Sequence, residues 1–233
     1  TGVLAQDGAL IQIADGLVQG ATSFGIQAMG ENTVIQATGT DVLDTVPDSH
    51  GSYGLGYFVS AGAFLSAEEG AVEGNTRIGV GAAGDGTVVV LRGVSVSDTQ
   101  FDSNGEVGPG IQVQEGAWLQ IEDSVVERNA SVGAVALHPG TTLLLSDVEV
   151  RTTRTHPNGT GGHGIEIIDG ASLHMTGTLV EDNAGFGILT HGEGTFAQIE
   201  DSEVSATVHA TDMTVALGVA CQLDSQITAT GLV

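Results

Sequence analysis

Apolar and polar positions alternate along this chain in short runs bounded by glycine, asparagine and aspartate, the period-two signature of β-strands. One kind of run always opens on a glycine, at Gly2, Gly25, Gly56, Gly79, Gly110, Gly133, Gly164, Gly187 and Gly218. The intervals are 23 and 31 residues by turns, so the full repeat is 54 residues, a short coil followed by a long one. After Gly110, Ile111 and Val113 face one way and Gln112 and Gln114 the other. Beyond a corner, Ala117, Leu119 and Ile121 alternate with Trp118 and Gln120, and a third short run holds Val126. Three strands separated by tight corners predict one triangular turn of a β-solenoid, its turns stacked about 4.8 Å apart. No segment carries a 3.6-residue apolar period long enough for a helix.

Other positions keep the same step. Corner residues recur at Gly8, Gly62, Gly116 and Gly170 in short coils and at Asn32, Gly86, Gly140 and Gly194 in long ones. Glycine and asparagine tolerate positive φ, so left-handed corners are expected. The following residue is alanine in short coils (Ala9, Ala63, Ala117, Ala171) and threonine in long ones (Thr33, Thr87, Thr141, Thr195). A later turn carries Asn75, Asn129 and Asn183, or Thr45, Thr99, Thr153 and Thr207. These read as structural ladders, each side chain bonding a neighbour or turn backbone in the adjacent coil.

The segments GIQVQEGAWLQIEDSVVERN (110–129) and GIEIIDGASLHMTGTLVEDN (164–183) resemble the right-handed parallel β-helix, or pectate-lyase-like, superfamily, in particular repetitive bacterial surface β-helix proteins. The resemblance extends over essentially the whole chain and implies an all-β, single-stranded parallel β-helix of about nine three-strand coils, one domain over 1–233. That superfamily holds polysaccharide lyases and hydrolases, passenger domains, phage tailspikes and surface proteins. The fold therefore does not select an activity.

Composition narrows the choice. The 233 residues carry 29 acidic side chains, five arginines and no lysine, for a net charge of −24. Nucleic acid and anionic membrane surfaces need clustered cations, so both are excluded as partners. No apolar run approaches the roughly 18 residues of a membrane span, and the N-terminus shows no signal-peptide pattern. The lone Cys221 permits no internal disulfide and takes an inward position equivalent to Val113, as core filling. The chain starts at the first marker glycine and stops within a ninth coil without a capping helix. Open solenoid ends present unpaired strand edges, so a piece of a longer polypeptide or an end-to-end stacking unit is expected.

Candidate chemistry gathers on the long coils. Their extra residues form loops 46–55, 100–109, 154–163 and 208–217 on one edge, two coils or about 10 Å apart. Asp48, Asp102 and His156 align between loops, as do Gly51, Gly105 and Gly159. Such an edge is either a binding face or ordinary turn decoration. Arg151, Arg154, His156, His163 and Glu166 form the strongest catalytic candidate. The resemblance implies a lyase in which a basic residue abstracts a proton beside a uronate carboxylate, with arginine or aspartate-held Ca²⁺ neutralising charge. The absence of lysine excludes the lysine-based versions. Gly162-His163-Gly164 resembles a polygalacturonase triplet, but His163 occupies a position filled by Phe24, Leu55, Ile78 and Phe186 elsewhere, and the paired aspartates and later arginine-x-lysine motif are missing. The seven histidines show no zinc spacing. Asp44, Asp48, Asp98 and Asp102 are weak Ca²⁺ candidates, with a solvated acidic edge as the plainer reading, so no cofactor is assigned. An outward stripe, Leu10, Val34, Phe64, Val88, Trp118, Thr142, Ser172 and Phe196, and a second set with Leu4, Phe58, Val135 and Leu189, place apolar groups on outer faces. A continuous stripe suggests a contact surface, with Phe64, Trp118, Phe196 and Phe58 as binding residues. The sequence thus reads as a secreted or cell-surface bacterial module, structural or adhesive, holding a protein or polysaccharide. A carbohydrate-active enzyme with an arginine-based site at 151–166 and a laterally or end-to-end self-assembling subunit are the alternatives.

Overall fold

A computed structural model describes residues 1–102, 105, 108–208 and 217–233. Strands Val3–Gln6, Phe24–Met29, Leu55–Ser60, Ile78–Ala83, Ile111–Gln114, Val132–Leu137, His163–Ile168, Phe186–His191 and Leu217–Gln222 form one parallel sheet in sequence order. The strands that follow each corner form a second, 15-stranded sheet, again parallel at every pairing. Among the described residues there is no helix. The chain therefore winds from the first sheet to the second and back, and inward Ile111, Val113, Leu119, Ile121 and Val126 are each at most 1% exposed.

Each marker glycine has a reason that its spacing alone did not disclose. A Cβ on any of the first eight would lie 2.5–2.8 Å from the carbonyl oxygen of the next marker, where a real Cβ is not tolerated. The constraint is close approach rather than backbone conformation. The corner glycines are the opposite case: Gly8, Gly62, Gly116 and Gly170 have φ of 79–85°, and Asn32, Gly86, Gly140 and Gly194 have φ of 61–81°.

The ladders bond to turn backbone. Gly116 N–H donates to Thr141 Oγ1 at 2.9 Å, and that hydroxyl donates to the Leu137 carbonyl at 2.7 Å. Thr33, Thr87 and Thr195 repeat both bonds. Asn129 Oδ1 accepts from Thr99 N–H at 3.1 Å and from its hydroxyl at 2.7 Å, while Nδ2 donates to the Val96 carbonyl at 2.9 Å. Asn75 and Asn183 bridge their preceding coils in the same way.

Two expectations need correction. In the third and fourth coils the second and third strands merge into Phe64–Glu73 and Val88–Ser97 rather than standing apart. The bend between them survives as a left-handed residue, Glu69 at φ 51° and Gly93 at φ 63°. Asp15, Gly39, Asp123, Asp147, Gly177 and Asp201 continue this corner, a ladder that the sequence reading passed over. Cys221 holds the inward register, paired with Thr190, yet is exposed, because it lies on the last described strand of its sheet and no further strand stacks upon it.

Candidate functional site

The loops share one turn. Gly51, Gly105 and Gly159 N–H groups donate to the carbonyls of Asp48, Asp102 and His156 at 3.0, 2.9 and 2.8 Å, which accounts for their alignment in sequence. Asp48 Oδ1 also accepts from the N–H groups of Ser52 and His50, both at 2.9 Å, and the Ser52 bond leads in holding this carboxylate below its ordinary range. Loops 100–109 and 154–163 meet across the short coil between them. The His156 Nδ1 donates to the Gly105 carbonyl at 2.8 Å, its Nε2 accepts from Ser131 Oγ at 3.0 Å, and its ring lies 5.1 Å from Phe101, the tautomer being assigned from these partners. Most of loop 208–217 lies outside the described residues.

Of the five catalytic candidates only His156 and His163 influence each other, electrostatically; the others occupy separate environments. Arg151 pairs with Glu127 and Glu149, each at 2.9 Å, on the outer side of the third-strand row. Arg154 donates to the Thr99 carbonyl at 2.7 Å. His163 is buried, accepts the Phe186 N–H at 3.1 Å and meets that ring at a tilt, centroids 5.1 Å apart. Glu166 faces outward between Val135 and Leu189 in the first sheet, and burial raises its pKa against the opposing pull of His191. Among the described residues no hydrogen bond or ion pair joins either arginine to His156, His163 or Glu166.

The aspartates are likewise dispersed. Asp44 accepts from Gln19 at 3.1 Å, and Asp98 receives Arg128 Nε and Nη2 at 3.0 and 2.8 Å. Among the described residues no three His, Cys, Asp or Glu side chains converge as metal ligands.

His163 gives a pH prediction. Burial, with the nearby His156 charge second, pushes its pKa from 6.5 down to about 4. A base depressed in the folded state binds fewer protons than in the unfolded chain, so its stabilising contribution holds above pH 6.5 and is lost as pH falls toward 4. His163→Phe, taking the residue found at Phe24 and Phe186, should melt lower than wild type at pH 8 through the lost Phe186 bond. It should then lose less Tm than wild type on acidification. Parallel Tm-against-pH curves for the two proteins would contradict this environment.

The aromatic candidates divide between faces. Phe64, Val88 and Trp118 sit side by side on the second sheet, with Phe196 further along the same row past Thr142 and Ser172. Phe58 belongs to the first sheet, in the outward row Leu4, Gln27, Phe58, Gly81, Gln112, Val135, Glu166, Leu189 and Ala220.

At Phe58 the structure gathers residues that the sequence reading left apart. The Phe24 ring stacks on Phe58 at 5.4 Å and meets Tyr53 of loop 46–55 at 4.8 Å. With Ser52 and Arg77 they line an open cleft of about 370 Å³. It leads into a shallow depression of about 60 Å³ along Phe58, Gly81, Ala83, Gln112 and Gln114. None of the residues lining either hollow is acidic. Arg77 is also the arginine with no side-chain partner among the described residues, whereas Arg92, Arg128 and Arg151 form ion pairs and Arg154 bonds a carbonyl. A signal for it exists. The two-before-marker position is Ser23, Gly54, Gly108, Ser131, Gly162, Gly185 and Ala216 elsewhere; Ser23, Gly54, Ser131, Gly162 and Gly185 have φ between 70 and 97°, Gly108 does not share that positive φ, and Arg77 holds φ 79°.

No family model matches the chain, and no curated protein matches it. Among solved structures it is similar to a periplasmic alginate epimerase, AlgG double mutant, at TM-score 0.65 and 11% identity, covering 92% of this chain and 51% of that one. A second is pectate lyase Pel9A, at TM-score 0.56 and 11% identity, covering 90% of this chain and 56% of that one. This chain is a right-handed parallel β-helix. It spans about half the length of each neighbour, and at this identity the likeness is one of fold. In the β-helix no helix is long and apolar enough to cross a membrane among the described residues.

Proposed function

We propose that this β-helix is a polysaccharide-binding module acting outside the cytoplasm, holding a glycan on the outer face of its first sheet beneath loop 46–55. The observation that carries the reading is the cleft in which Tyr53 of loop 46–55 and Phe58 of the first sheet present aromatic surface over the buried Phe24 ring, open to solvent at one side. Sugar rings expose C–H groups on one face, and aromatic planes bind them through buried area at little entropic cost. The folds of an alginate epimerase and a pectate lyase show that this scaffold carries polysaccharide sites elsewhere, which supports the glycan class over a protein partner. A periplasmic, secreted or cell-surface location follows from that ligand.

Binding is favoured over lyase chemistry because Arg151 and Arg154 are engaged, by Glu127 and Glu149 and by the Thr99 carbonyl. An arginine held in an ion pair is a poor proton acceptor. Titration calorimetry of the purified chain against neutral and acidic oligosaccharides should show binding that Phe58→Ala weakens by about tenfold or more. Trp118→Ser, on the other sheet, should leave it unchanged. The same mixtures should form no unsaturated product absorbing at 235 nm. Loss of binding in Trp118→Ser with retention in Phe58→Ala would move the site to the second sheet, and product formation abolished by Arg154→Ala would make the protein a lyase.

A further inference from the structure

We infer that Asn158, at the tip of loop 154–163, is the attachment site of a covalent N-linked glycan; this stands apart from the glycan-binding reading above. Two segments carry the pattern Asn-x-Ser/Thr, with x other than proline, that N-glycosylating transferases accept: Asn129-Ala130-Ser131 and Asn158-Gly159-Thr160. The fold treats them oppositely. Asn129 is wholly buried in its ladder, and its Nδ2, the atom that would take the sugar, donates to the Val96 carbonyl at 2.9 Å. Asn158 is exposed beside exposed Pro157, in the turn closed by the Gly159 N–H on the His156 carbonyl at 2.8 Å. Its Oδ1 accepts from the Thr160 N–H at 3.0 Å and from the Thr160 hydroxyl at 2.8 Å. Those bonds fix the side chain through its oxygen, while Nδ2 has no partner among the described residues. Of the two patterns, only Asn158 offers a free amide nitrogen to an enzyme.

The turn itself does not require this pair of residues. Loop 46–55 closes the same turn, the Gly51 N–H on the Asp48 carbonyl at 3.0 Å, with His50 and Ser52 at the aligned positions. Attachment is a substitution at the anomeric carbon of a lipid-linked glycosyl diphosphate, brought by a transferase. The bond from Asn158 Nδ2 to that carbon forms and the carbon–oxygen bond to the diphosphate breaks. The diphosphate leaves with the electron pair, and one Nδ2 proton passes to a base of the transferase. This chain contributes the acceptor alone. Loop 154–163 stands four coils, or about 19 Å, from loop 46–55, so a glycan there leaves the aromatic cleft open.

The test is peptide mass mapping of the full chain purified from its native cells. Arg154 is the last arginine and the chain has no lysine, so cleavage after arginine separates fragment 155–233, with Asn158, from fragment 129–151, with Asn129. Fragment 155–233 should be heavier than its sequence by whole monosaccharide increments, and fragment 129–151 should have its unmodified mass. Asn158→Gln and Thr160→Ala, made in the same cells, should each lose the increment completely, whereas Thr160→Ser, which keeps the hydroxyl, should retain it. Wild-type fragment 155–233 at its unmodified mass, or heavier only by the single dalton of a deamidated Asn-Gly step, would overturn the assignment. So would an increment that persists in Asn158→Gln, or one found on fragment 129–151 instead.

Discussion

Gly133→Ala should lower stability by about 3 kcal/mol, a fall in Tm of roughly 6–12 °C for a chain of this size. The added Cβ would sit 2.6 Å from the Gly164 carbonyl oxygen and 2.7 Å from Val150 Cγ1, with Thr153 Oγ1 at 3.2 Å. Neither close neighbour can yield easily. The carbonyl belongs to the next strand of the first sheet, and Val150 is fully buried in the core. Separating the strands would break the parallel pairing on both sides of the coil, and in a solenoid that damage falls on two nearest-neighbour interfaces at once. Gly86→Ala is the matched comparison. Its φ is +74° and the nearest atom to a new Cβ is 3.7 Å away, so it should cost only about 1–2 kcal/mol of left-handed strain. Thermal melting of the two variants separates close approach from conformation. Equal losses would mean that the marker and corner glycines serve one purpose.

That contrast also shows what the sequence could express. A repeat announces a constraint by holding a residue type at a fixed step, so marker glycines, left-handed corners and the Thr and Asn ladders were all visible without coordinates. The reason for a constraint is not in the spacing: both glycine classes recur with equal regularity, and only atomic neighbours tell them apart. The cleft was harder to see because it departs from the repeat. Phe24 read as one more apolar residue before a marker, yet Ser23 at φ 72° turns the backbone just ahead of it, and its ring lies against outward Phe58. Tyr53 comes from a loop whose contacts alternation cannot assign. Arg77 stood out only as the one charged residue among its small equivalents Ser23, Gly54, Gly108, Ser131, Gly162, Gly185 and Ala216, a comparison that requires aligning every coil on its marker. The candidate cluster at 151–166 shows the converse. Proximity in sequence suggested convergence, but Arg151 and Glu166 lie on different sheets, and stacking gives each its own partners.

Asn129→Asp should destabilise the protein by roughly 3–5 kcal/mol at neutral pH, and the deficit should shrink on acidification. Asn129 is wholly buried, accepting from Thr99 through Oδ1 and donating to the Val96 carbonyl at 2.9 Å through Nδ2. An aspartate preserves the first interaction, since a carboxylate accepts readily from an N–H and a hydroxyl. It fails at the second, where two oxygen acceptors would face each other at the distance of a hydrogen bond. Protonation restores a donor there and removes a buried charge, so the folded pKa of this aspartate must lie above its unfolded value of about 3.9. A group raised in the folded state stabilises fully below its unfolded pKa and loses that contribution as pH rises through its folded one. The Tm difference between Asn129→Asp and wild type should therefore be largest near pH 7.5 and close progressively toward pH 4.5. Referring each point to wild type at the same pH removes the separate acid sensitivity of His163. A gap independent of pH would mean that the amide does not face the Val96 carbonyl, and that the Asn ladder holds the coils through its acceptor alone.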